Sequence, residues 1–327
     1  MASASLQSSR HRLLSDTASS KVARKGRVTA AVCVALPDGR GVNVECWPGD
    51  GAPLVLLHGL LDCAAGWKHL AGLMDRPCYA VDLPGFGDSD CPTRNRISAY
   101  VQDVHAVLAA LEVHDFTLVG HSLGGAVASG LAERLRDDVA ALVLIAPVGF
   151  GRIHLAEAIQ LPGVHGLVRR GLPVALANPV TAVGVYMAVV GNGHRPDPDL
   201  LARLRTNAHR WVPGAACANE AISAAGLSPR AFYRRQLDYR GPVLALWGDH
   251  DRVVPLAHRD GVMTAFPQAQ ISVWKKMGHH PQRERSSELA RFIEAACARA
   301  LPGPSSATPA RQPQPKRLTA ACSRPNR

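Results

Sequence analysis

Ser122 stands between two glycines in "GHSLG", at the point where the apolar run "FTLVGHS" (116–122) gives way to the helix-like "LGGAVASGLAERL" (123–135). A serine hydroxyl is a weak nucleophile until a base takes its proton and an acid holds that base in place. Two downstream loops carry such groups: "WGDHDRVVP" brings Asp249 and Asp251, and "KKMGHHPQ" brings His279 and His280. Together these residue types would perform acyl transfer, with hydroxyl attack on a carbonyl and backbone N–H groups receiving the oxyanion. The N–H of Leu123, directly after the serine, is one candidate donor. The N–H of Leu60 in "LLHGLLD" is the other. Neighbouring loop residues point in different directions, so only one histidine of the pair can meet the serine. Residue types alone leave both pairs open.

The elements that must position these groups follow from periodicity. "VTAAVCVAL" and "GVNVECW" flank the turn "PDGRG", which reads as a hairpin at one end of a sheet. Six short apolar runs follow: "PLVLLHG", "CYAVDLPG", "FTLVGHS", "VAALVLIAP", "PVLALWGD" and "AQISVWKK". Each ends in Gly, Pro or polar residues, as a buried parallel strand feeding a loop does. Helical patterns lie between them, at 97–113, 123–135 and 286–301. The expectation is an α/β fold with a mostly parallel eight-stranded sheet and helices on both faces. Ligands of such sheets bind beyond the carboxyl ends of the strands, where all the candidate residues fall. Between residues 151 and 238 the alternation stops, and an alanine-rich, proline-broken helical segment forms a cap insert. The core is thus assigned to 28–150 and 239–301.

The formal charge of +11 looks like a nucleic-acid signal until it is divided along the chain. Arg10, Arg12, Lys21, Arg24, Lys25 and Arg27 face only Asp16 in residues 1–27. Arg311, Lys316, Arg317, Arg324 and Arg327 face no acid in 302–327. The first end is Ser- and Ala-rich, the second Pro-, Ala- and Ser-rich, and both read as disordered basic tails. The body is nearly neutral, so no specific nucleic-acid partner is expected, and tails or cap would make at most weak contact with a membrane surface. Eight scattered cysteines form no Cys-X-X-Cys, which argues against a zinc site and a compact disulfide framework. Without a secretory-type apolar segment, the cytoplasm is the default compartment. The run from Gly171 to Gly193 carries no charge and is long enough to span a bilayer. Pro173, Asn178, Pro179 and several glycines interrupt it, so the expectation is a helix that buries apolar surface over a binding cavity.

With His58-Gly59, "VDLPGFGDSD" (81–90), "GHSLGG" (120–125), "WGDHDRVVP" (247–255) and "GHHPQ" (278–282), the chain resembles the α/β-hydrolase superfamily in its group with a helical cap. The chain order Ser, Asp, His is the one that arrangement uses. The resemblance implies serine-hydrolase chemistry with no cofactor and no metal. It assigns the triad to Ser122, Asp251 and His279, with Leu60 and Leu123 as oxyanion donors and Asp249 left to serve its turn. The Ser122 position sets the chain apart from haloalkane dehalogenases and epoxide hydrolases, which place Asp there. His58, Asp82, Asp88 and His121 read as structural. The expected substrate is a small apolar ester or thioester. Alternatives are carbon–carbon bond hydrolysis of ring-fission products and a non-catalytic ligand receptor on the same scaffold.

Overall fold

Eight runs of apolar residues pair into one sheet in the computed structural model, which describes residues 30–190, 196–228 and 231–300. The strands are β1 (Ala30–Ala35), β2 (Gly41–Trp47), β3 (Leu54–Leu57), β4 (Cys78–Val81), β5 (Phe116–His121), β6 (Val139–Ile145), β7 (Val243–Gly248) and β8 (Gln270–Trp274). Their spatial order is β1-β2-β4-β3-β5-β6-β7-β8. β2 runs antiparallel to both β1 and β4, and every later pairing is parallel. The eight strands and the leading hairpin agree with the sequence reading. The tails 1–27 and 302–327 lie outside the described residues.

Central strands are apolar at every position because both faces are covered. In β3, Val55 and Leu57 join one core, while Leu54 and Leu56 join another on the opposite face. The first core is closed by α1 (Ile97–Ala110) and α2 (Leu123–Leu135), through Val101, Val104, Val127 and Leu131. The second is closed by a short turn of helix at Lys68–Ala71 and by the C-terminal helix Ser286–Cys297, through Leu70, Leu289 and Ile293.

After β6 the chain leaves the sheet and returns at β7. The excursion contains α3 (His154–Ile159), α4 (Val164–Ala177), α5 (Pro179–Val189) and α6 (Pro198–Leu227). Asp197 opens α6 by accepting the Asp199 N–H at 2.9 Å, and Pro198 occupies the first helical position, where no N–H is needed. Helix α6 lies directly on the loop after β4. A Cβ at Gly214 would sit 2.2 Å from the Gly85 carbonyl oxygen, and the Trp211 indole donates to the Gly87 carbonyl at 3.2 Å.

The apolar run beginning at Gly171 departs from expectation. Asn178 ends α4 and accepts the N–H groups of Val180 and Thr181, so the run folds as two helices rather than one. Much of its apolar surface faces outward instead of over a cavity. Among the described residues, no helix is long and apolar enough to cross a membrane. The end of the run, 191–193, lies outside the described residues.

Candidate active site

Ser122 occupies the turn between β5 and α2 with φ 53° and ψ −114°, a conformation that costs a non-glycine residue about 1–3 kcal/mol. The surroundings hold it there. Its N–H donates to the Ile145 carbonyl at 2.9 Å, and its carbonyl accepts the N–H groups of Gly125 at 2.9 Å and Val148 at 3.1 Å. The flanking glycines make the approach possible. A Cβ at Gly124 would lie 2.3 Å from the Leu57 carbonyl oxygen, and one at Gly120 would lie 2.4 Å from that of Gly124. Because Ser122 directly precedes α2, the positive end of that helix faces any negative charge developing at the serine.

The loop after β7 carries Asp251, and the loop after β8 carries His279. The two meet: His279 Nδ1 donates to Asp251 Oδ2 at 2.8 Å, with both side chains buried. The other Asp251 oxygen accepts the N–H groups of Val253 and Val254 at 2.8 and 3.0 Å. Burial alone would raise the Asp251 pKa, but His279 and the two amides hold it below the usual carboxylate value. Asp249 points elsewhere, 3.7 Å from the Lys275 ammonium. Glu157, the first carboxylate after β6, pairs with Arg152 on the surface.

The ring of His121, the residue before Ser122, lies 4.6 Å from that of His279, and Ser122 and His279 are each only 4% exposed. No hydrogen bond joins the Ser122 hydroxyl to the His279 ring in this structure; such contacts commonly tighten only as the reaction proceeds. Leu123 is the first residue of α2, so its N–H has no intrahelical acceptor. Leu60 lies in the turn after β3, and among the described residues its N–H donates to no backbone carbonyl. The Gly59–Leu60 turn lies against the elbow, since a Cβ at Gly59 would fall 3.0 Å from the Ser122 Cβ.

Residues read as structural take structural positions. His58 Nε2 accepts the Leu83 N–H at 2.9 Å, and its Nδ1 donates to the Gly59 carbonyl at 2.7 Å. Asp82 accepts from the amides of Ala64 and Asp88 and from the Asn43 side chain. His121 packs behind the elbow with a further contact. Its Nε2 donates to the His279 carbonyl at 2.8 Å, while Nδ1 accepts from the Gln282 amide at 3.2 Å. Burial, aided by the neighbouring His279, depresses the His121 pKa to about 3. His280 is likewise buried and held well below its ordinary pKa, chiefly by desolvation.

Two supports escaped the sequence reading. The Glu284 carboxylate accepts the N–H groups of Gly278 at 3.0 Å and His280 at 3.2 Å, clamping the backbone on both sides of His279. Arg283 is buried between Asp62, at 2.6 Å, and Asp197 at the head of α6. Asp62 directly follows the Leu60–Leu61 turn, so one guanidinium ties the histidine loop to the oxyanion-side loop and to the cap. A carboxylate five residues past His279 was the only signal available for Glu284, and nothing local marks the Arg283 contacts.

Comparison with known proteins agrees with this architecture. A family model described as alpha/beta hydrolase fold matches residues 52–286. An uncharacterized protein of Mycobacterium tuberculosis is 29% identical over 260 residues, covering 75% of this chain and 74% of that protein. The 2-hydroxy-6-oxo-6-phenylhexa-2,4-dienoate hydrolase of Comamonas testosteroni is 26% identical over 263 residues, covering 75% and 87%. Among solved structures, an esterase from Exiguobacterium antarcticum superposes with a TM-score of 0.63 at 18% identity, over 81% of this chain and 98% of that one. Sheet order, elbow and matched span lead to one assignment: the chain belongs to the α/β-hydrolase fold family.

Proposed function

We propose that the protein is a serine hydrolase that cleaves an ester or thioester with an apolar acyl part through an acyl-enzyme on Ser122. The observation that carries this reading is the buried 2.8 Å Asp251–His279 pair set beside a serine held at positive φ on the β5–α2 turn. His279 Nε2 takes the hydroxyl proton as Ser122 Oγ bonds to the substrate carbonyl carbon. The resulting oxyanion accepts from the Leu60 and Leu123 N–H groups. Collapse expels the alcohol or thiol, which receives the proton from His279. Water, deprotonated by the same imidazole, then attacks the acyl-enzyme, and the released acid leaves Ser122 protonated. Asp251 holds the tautomer with the proton on Nδ1 and stabilises the imidazolium. A cap helix without a charged side chain, α5, makes an apolar acyl group the natural cargo.

Likeness to the Comamonas testosteroni hydrolase supports a second reading, hydrolytic carbon–carbon cleavage by the same residues. One experiment separates the readings. Fluorophosphonate labelling should mark the wild type and spare Ser122→Ala, with circular dichroism unchanged. Nitrophenyl esters of increasing chain length should then be turned over far faster than a chromogenic ring-fission diketone. Labelling that survives in Ser122→Ala overturns the nucleophile assignment, and preference for the diketone selects the second reading.

A further inference from the structure

Helices α4 and α5 present to the outside what surface helices normally hide. Leu161, Val164, Leu167 and Val174 follow one another at helical spacing along α4 and its approach, and all are exposed, Leu167 by 73% and Val174 by 69%. On α5, Val180 (78%), Val183 and Val189 are also exposed. Eight of the eleven large exposed apolar side chains among the described residues lie between Leu155 and Val189, so they form one region rather than a scatter. Single exposed apolar residues are ordinary, whereas a contiguous patch marks a binding surface.

Charge selects the occupant. From Ala158 to Val190 the sequence holds no Asp, Glu or Lys, and the only charged residues are Arg169 and Arg170, both exposed on α4. A second copy of the chain docked by a two-fold axis would bring these arginines toward each other, with no acid in the segment to offset them. The chain's own ends are strongly basic, with Asp16 their single acid, and would bring further positive charge toward these arginines. An anionic lipid surface supplies both an apolar phase for the valines and leucines and negative headgroups for the arginines. Neither helix is long enough to span, which fits helices lying in the plane of the interface.

We propose that the outer face of α4 and α5 docks on an anionic lipid surface, from which the site beneath the cap takes its substrate. The link to the site is Tyr186 on α5, whose ring stacks over His280 with centroids 6.1 Å apart. Through Tyr186, α5 therefore touches the loop that carries His279. The delivery half of the proposal rests on the hydrolase reading above; the docking half does not.

The test is flotation of the full chain with vesicles of phosphatidylcholine, alone or mixed with phosphatidylglycerol. Binding should require the anionic lipid. Leu167→Asp/Val174→Asp/Val180→Asp should reduce the bound fraction at least tenfold, and Arg169→Glu/Arg170→Glu should remove the preference for anionic vesicles. Both variants should keep fluorophosphonate labelling and hydrolysis of a water-soluble ester, so loss of docking is read separately from loss of chemistry. Wild type that fails to float, or a triple variant that floats equally, overturns the proposal. So does binding abolished only by removing residues 1–27 and 303–327, which would assign it to the tails. A wild-type dimer that becomes monomeric in the triple variant by size-exclusion chromatography would assign the face to a second copy and overturn it as well.

Discussion

Two acids two residues apart, Asp249 and Asp251, occupy different electrostatic worlds. Asp251 is buried against His279 and two amides, while Asp249 faces the Lys275 ammonium near the surface. Asp251→Asn keeps the shape but no longer selects the Nδ1–H tautomer, so turnover should drop by about 10³–10⁴-fold with the fold intact. Asp249→Asn should change turnover little and stability by no more than ~1 kcal/mol. Saturating-ester kinetics with circular dichroism decide the ranking, and an inactive, folded Asp249→Asn would reverse it. The histidines behind the elbow give a second prediction. His121 stays neutral in the folded protein down to about pH 3, whereas an unfolded histidine titrates near 6.5. Below about pH 6.5 the unfolded chain therefore binds more protons, so stability falls as pH falls toward 3. His280 acts in the same direction. His121 contributes a slope approaching ~1.4 kcal/mol per pH unit in that window. Denaturant midpoints from pH 7 to pH 5 should decline, and His121→Asn should decline less steeply. Parallel slopes for the two proteins would refute this origin.

At the scale of elements, the elbow works because three backbones approach without side chains between them. Gly124 has no room for a methyl group against the carbonyls of Leu57, the last residue of β3, and His58, which follows it. Gly124→Ala should cost about 1–3 kcal/mol and lower labelling of Ser122 by displacing α2, and a melting temperature equal to wild type would contradict that. This feature was legible in the sequence, because glycine spacing and apolar periodicity are local and the strand-to-helix turn needs both. Strand number, helix positions and the loops carrying Ser122, Asp251 and His279 were readable for the same reason. The Glu284 clamp and the Asp62–Arg283–Asp197 cluster were not. Asp62 and Arg283 lie far apart in the chain, and a charge in a polar loop reads as solvated until the fold buries it. The run from Gly171 was misjudged through composition: an uncharged run normally means burial, and here much of it supplies an outer face.

The whole molecule closes over its own chemistry. Ser122 and His279 are almost fully buried, and the clefts of about 640, 400 and 430 Å³ on the described surface are lined by neither. We expect an acyl chain to reach the serine by parting the cap from the histidine loop. Where they meet, Arg283 bridges Asp197 on the cap and Asp62 on the core. The two acids are not equivalent. Asp62 is buried and without Arg283 would be left as an uncompensated charge, whereas Asp197 lies nearer solvent. Asp197→Asn is the clean perturbation, because asparagine still caps α6 while the charge that holds the cap to Arg283 is gone. We therefore expect Asp197→Asn to keep most of its stability and to react faster with a bulky, long-chain fluorophosphonate. Its rate with a small fluorophosphonate should change less, since a small probe needs less opening. Asp62→Asn, in contrast, should lose several kcal/mol, as expected for breaking a buried pair. The measurement is the ratio of labelling rates for the two probes in wild type and Asp197→Asn. A ratio unchanged by the substitution would show that substrate reaches Ser122 without separating the cap from the histidine loop.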